Sequence, residues 1–187
     1  MEVAPGQALD CSAVAYLFAM KLKRDLDVPV GIVDCYWGGT SITAWISKDG
    51  LYSTGEGRRY YEEYEALPAG KSMEQYLQEE AAWQAELREW EGKVAVYKTD
   101  HPKADGAEIN REVGQCPWHP VAGPGSPFRP AGMADTMVMK VVPLSLTGFL
   151  WYQGEADCGI TEAYDLLTVS LVREWRRVFR DDAAPFF

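Results

Sequence analysis

The sequence predicts a doubly wound α/β domain built on a parallel sheet. Two short apolar runs, 28–35 and 148–152, each end in glycine and small polar residues, as buried strands do when they deliver a loop to one sheet edge. A helical pattern precedes the first run and another follows the second, the order of a doubly wound fold. In open α/β sheets, ligands bind at the edge where such loops emerge.

Residues 10–26 read as a helix. Val14, Leu17, Phe18 and Leu22 share a face, and Lys21, Lys23 and Arg24 fall late, where cations suit the dipole. Residues 28–35 are a β-branched strand, and 41–46 open a short helical turn. Residues 50–70 mix glycine, tyrosine and charge, and read as irregular. Residues 71–98 give the clearest helix. Tyr76, Trp83, Trp90 and Tyr97 recur every seven residues along it, a seam that packs on the domain, packs on a partner segment or stacks on a sugar.

Residues 100–132 are rich in Pro and Gly and read as a long loop. Residues 133–142 are helical up to Pro143. After the second strand, 161–179 form a helix with Tyr164, Leu167, Leu171, Trp175 and Val178 inward, and 182–187 begin a further strand. The whole chain, 1–187, is expected to form one domain, with an insertion over 50–132.

At 187 residues, 47% hydrophobic and 25% charged, the chain can bury a sizeable core, and disorder is not indicated. Its net charge of -10 and lack of a long basic run argue against nucleic acid and anionic membrane surfaces as partners. Cys11, Cys35, Cys116 and Cys158 form no C-x-x-C pair, which argues against a zinc site, and four cysteines in this length are no disulfide scaffold. Cys35 reads as a core thiol, and no histidine stands near Cys158 to activate it. No signal peptide and no bilayer-spanning run are seen.

The chemistry concentrates in the two loops. Backbone N–H groups in the Gly38-Gly39 turn suit a developing oxyanion, because no side chain blocks the approach. The same glycines equally suit a tight strand-to-helix turn. Gln153 offers a neutral amide donor. Glu155 could orient Gln153, bind a substrate hydroxyl or cap the following helix. Trp37, Trp45 and Trp151 flank the loops and either stack on a sugar ring or fill the core. His101 and His119 read as surface or structural, and Ser41 does not sit in a G-x-S-x-G elbow.

Trp37-Gly38-Gly39-Thr40 followed by Ala44-Trp45, with Trp151-Tyr152-Gln153-Gly154-Glu155, resembles the sialate O-acetylesterase family of SGNH, or GDSL-like, hydrolases. The helix from Ser12 to Leu22, the Ala134-Asp135-Thr136-Met137-Val138 run, Trp175-Arg176 and Pro185-Phe186-Phe187 also match, although Asp135 stands where the family has Asn. Residues 50–130 match only loosely. The resemblance implies an SGNH-like α/β/α fold and serine acyl transfer without metal or organic cofactor. It further implies an O-acetylated sugar as substrate, sialic acid or similar, and an exported, periplasmic or lysosomal parent protein. It casts Gly38, Gly39 and Gln153 as the oxyanion hole, with Glu155 supporting and Trp37 and Trp151 against the sugar.

The family's G-Q-S-N nucleophile motif and its Asp-x-x-His pair have no counterpart here. Gly6-Gln7-Ala8-Leu9 carries alanine at the serine position and lies too close to the Ser12 helix. The expectation is a central fragment of an esterase, its sheet incomplete at both ends, that supplies the oxyanion side and is inactive alone. The alternative is a non-catalytic carbohydrate-binding module that lost the triad.

Overall fold

A computed structural model describes residues 11–67, 71–119, 123 and 125–187. The Gly6-Gln7-Ala8-Leu9 stretch lies outside the described residues. The elements run α1 (Ala13–Leu26), a 3-10 turn (Ile42–Trp45), α2 (Lys48–Tyr52), α3 (Gly55–Ala66), α4 (Met73–Asp100) and α5 (Gly106–Glu112). A π turn (Ala134–Val138), α6 (Met139–Val141), a 3-10 turn (Glu155–Asp157) and α7 (Tyr164–Phe179) complete them.

The expected doubly wound parallel sheet, and with it the SGNH-like α/β/α layering, is not what the chain forms. Among the described residues there is no strand, only an isolated parallel bridge between Phe149 and Phe186. Around it Phe149 N–H reaches Pro185 O at 2.9 Å, Phe187 N–H reaches Phe149 O at 3.0 Å and Trp151 N–H reaches Phe187 O at 2.8 Å. Among the described residues, 28–37 find no ladder partner, and Val28 and Val33 are each 46% exposed. An apolar, β-branched run reports a preference for extended, half-buried backbone. It does not report the neighbouring strand that must accept its hydrogen bonds. Here the run lines a large cavity instead.

The core gathers around α7. Leu167 and Leu171 are fully buried on it, with Trp175 and Phe179 one and two turns further on. They pack with Ile42, Ile46, Leu51, Met133, Val138 and Phe149. Phe149 sits edge-on to Trp175 at 5.3 Å and to Phe179 at 5.2 Å. The inward face predicted for this helix is largely the observed one, with Tyr164 and Val178 half-buried at its ends.

Helix α1 starts at the Ser12 cap and ends at Asp27 in the left-handed region. Its buried positions are Ala15 and Ala19, flanked by the half-buried Phe18 and Leu22. Of the predicted face, Val14, Phe18 and Leu22 line the cavity and Leu17 does not. Phe18 meets Phe187 at 5.4 Å.

The described part of residues 50–70, expected to be irregular, holds the end of α2 and all of α3. Ser47 and Thr54 cap these helices, each accepting an N–H three residues on. Glycine misled the reading because it serves packing here. A Cβ on Gly50 would lie 2.6 Å from Glu174 Oε2, and one on Gly57 would lie 2.4 Å from Leu51 O.

Helix α4 carries a full capping box, Ser72 with Gln75. Its aromatic seam packs on its own chain: Trp83 Nε1 donates to Pro117 O at 3.1 Å, Trp90 Nε1 to Gly114 O at 2.8 Å, and Tyr97 OH to Glu108 at 2.9 Å. The long loop is thereby strapped to the helix, and it contains α5, started by Asp105. Gly123 must be glycine, since a Cβ there would fall 1.9 Å from the Tyr76 ring.

Candidate functional site

The first loop is a stapled turn. Thr40 is buried; its Oγ1 donates to Trp37 O at 2.8 Å and accepts from Trp45 Nε1 at 2.9 Å. Gly39 holds φ +76, a conformation that suits glycine. Ser41 caps the next turn, its Oγ accepting from Thr43 N at 3.2 Å and bonding Thr43 Oγ1 at 2.9 Å. A hydroxyl committed in this way is a cap, which agrees with the absence of a nucleophile elbow.

The second loop reaches the first through Gln153. Its Nε2 donates to Thr40 O at 3.0 Å and also to Asp157 Oδ2. That same carboxylate oxygen accepts from Ile42 N at 2.8 Å. Tyr164 OH donates towards Gln153 Oε1 at 2.9 Å and Gln153 O at 3.0 Å. A carboxylate only accepts, so the amide nitrogen must face Asp157 and the amide oxygen must face Tyr164. Both Nε2 hydrogens are engaged in this arrangement.

Gly38, Gly39 and Gln153 all line a cavity of about 870 Å³, as do Trp37, Trp151 and Glu155. Trp37 is half exposed at that wall. Trp151 is wedged edge-on between Trp45 at 5.9 Å and Trp175 at 5.6 Å, and its buried indole N–H has no hydrogen-bond partner among the described residues. Glu155 begins a 3-10 turn and is exposed, without a bond to Gln153.

The histidines lie on the α4 side. His101 caps α4 and stacks on Tyr97 at 4.2 Å. His119 Nε2 stands 2.8 Å from Glu80, between the rings of Trp83 and Phe128. Phe128 in turn approaches the space beside Gly39, 3.6 Å from the position a Cβ would take there. So the strapped loop reaches the glycine turn, which sequence spacing alone does not reveal. Burial, reinforced by the Asp34 charge, pushes the half-buried Cys35 thiol up, as suits a core thiol. Cys158 is exposed, with Sγ 3.1 Å from Glu155 O.

Sequence reasoning assigned no role to Thr40, Asp157 or Tyr164 at this site. The Gln153/Asp157 spacing of four was the available signal, but it becomes meaningful only once Asp157 is known to be 3% exposed.

The joined loops are the same segments that carry the family signature, and the chain resembles sialate O-acetylesterases over nine-tenths of its length. It is 26% identical over 171 residues to "Sialate O-acetylesterase" of Mus musculus, covering 90% of this chain and 26% of the relative. Against the Rattus norvegicus protein of that name it is 26% identical over 175 residues, with 90% and 26% covered. Against the Homo sapiens protein it is 24% identical over 169 residues, with 90% and 21% covered. The chain spans about a quarter of the length of these curated relatives. No family profile matches it, and no solved structure matches it. Among the described residues, no helix is long and apolar enough to cross a membrane.

Proposed function

We propose that this chain forms the oxyanion side of a carbohydrate O-acetylesterase acting on sialic acid or a related acetylated sugar. The observation that carries the reading is the Gln153–Thr40 bond, which joins the two loops that carry the resemblance in the lining of one cavity. Ester hydrolysis builds negative charge on the carbonyl oxygen, and fixed N–H donors stabilise it. The Gly38 and Gly39 N–H groups and the Gln153 amide are those donors in this reading. Trp37 and Trp151 border the sugar, and Glu155 offers an exposed carboxylate to its hydroxyls. The acyl-transfer nucleophile and its histidine are supplied by residues outside those described.

The chain in isolation hydrolyses acetate esters poorly in this reading, because Ser41 serves as a cap and His119 is held by Glu80. One observation favours a second reading, a carbohydrate-binding module without catalysis: both Gln153 amide hydrogens are already bonded.

The test is acetate release from O-acetylated sialic acid by the protein translated from its complete reading frame. Turnover that falls about 10²–10³-fold in Gln153→Ala supports the esterase. Saturable sugar binding without acetate release replaces it with the binding module.

A further inference from the structure

We infer that Asp157 and Tyr164 are positioning residues that hold Gln153 in one orientation for the acyl-transfer step. This rests on the esterase reading above. Asp157 is 3% exposed, so its carboxylate is out of water. One oxygen, Oδ2, accepts both the Ile42 N–H, the first of the 3-10 turn after the glycine loop, and the Gln153 amide. The same atom therefore sets the turn and the amide together. Tyr164 holds the other end of the amide and the Gln153 carbonyl with a single hydroxyl. Gly154, at φ +155 between Gln153 and the 3-10 turn, lets the chain double back so that Asp157 can reach Gln153.

The two amide hydrogens are unequal. The one on Asp157 is charge-assisted, and such bonds are about twice as strong as neutral ones. The one on Thr40 O is a neutral contact at 3.0 Å. The hydrogen open to sharing with a substrate oxyanion is therefore the Thr40 one, while Asp157 keeps its own and prevents the amide from rotating away. Asp157 touches no substrate in this scheme. It acts through Gln153.

The experiment is a double-mutant cycle on the complete protein, read as kcat and KM for O-acetylated sialic acid. Gln153→Ala lowers kcat about 10²–10³-fold. Asp157→Leu lowers kcat at least about tenfold with KM nearly unchanged, as loss of a transition-state interaction requires. The double variant is no slower than Gln153→Ala alone. Asp157→Asn, whose single oxygen can accept both N–H groups, recovers most of the loss. If Asp157→Leu does not fold, Tyr164→Phe keeps its ring and runs the same cycle. Losses that multiply in the double variants overturn the inference and leave the esterase standing. An unchanged kcat in Gln153→Ala overturns the oxyanion role of Gln153, and this inference with it.

Discussion

Trp175 donates its indole N–H to the backbone carbonyl of Trp45 at 3.1 Å, across 130 residues of chain. The preceding residue, Glu174, accepts the N–H of Ser47 at 2.8 Å. Two consecutive residues of α7 therefore grip both sides of Ile46, directly behind the glycine turn. The segment after the turn is thus held by the helix that follows the second loop.

Trp175→Phe keeps a ring beside Phe149 but loses this bond and part of the indole's buried contact. A net hydrogen bond is worth about 0.5–1.5 kcal/mol. In a chain of this size each kcal/mol moves the melting temperature by about 2–4 °C. Thermal unfolding followed by circular dichroism should show a drop of a few degrees, and an unchanged melt would mean that the bond contributes nothing.

Glu174→Leu is expected to cost more. The carboxylate is buried and accepts Ser47 N–H, so the change strands a backbone donor, a loss of about 1–3 kcal/mol. Gly50→Ala should behave similarly, because its Cβ would meet Glu174 Oε2 at 2.6 Å and Ile46 Cγ2 at 2.7 Å. Denaturant midpoints test both, and equal midpoints for either variant and the parent would refute the packing claim.

Gly39→Ala places a side chain at φ +76. Left-handed backbone costs an L-residue roughly 1–2 kcal/mol. The space itself is adequate, since Phe128 would be at an ordinary 3.6 Å. Asn at this position should therefore recover part of the stability that Ala loses. If Ala and Asn are equally destabilised, contact and not backbone conformation is the cause.

Tyr76 has its phenol pushed up to about 12, first by burial and then by the nearby Glu80 and Tyr64. An unfolded tyrosine ionises near 10. Between these values the unfolded chain has released the proton and the folded chain has not, so stability falls as pH rises from about 10 to 12. Below pH 10 the contribution is fully present. Tyr76→Phe should flatten this alkaline loss, measured by urea unfolding from pH 9 to 12, and a parallel decline in both proteins would assign it to other groups.

Helices α1, α4 and α7 and the two loops that carry the resemblance were legible in the sequence, whereas α2, α3 and α5 were not. The extent of α4, the inward face of α7 and the approach of the glycine turn to Gln153 follow from patterns within one segment, or from two segments that resemble one family. What lies between distant segments was decided by the tertiary structure. Residues 28–35 look like a buried strand, yet among the described residues no segment pairs with them, and a strand is a property of a pair. Gly50 and Gly57 look like loop residues, yet they are helical, because Glu174 and Leu51 O take the space a Cβ would need. Asp157 looks like one acid among many. Only its burial beside Ile42 and Gln153 makes it the atom on which both loops meet, since a carboxylate removed from water must find its donors within the protein.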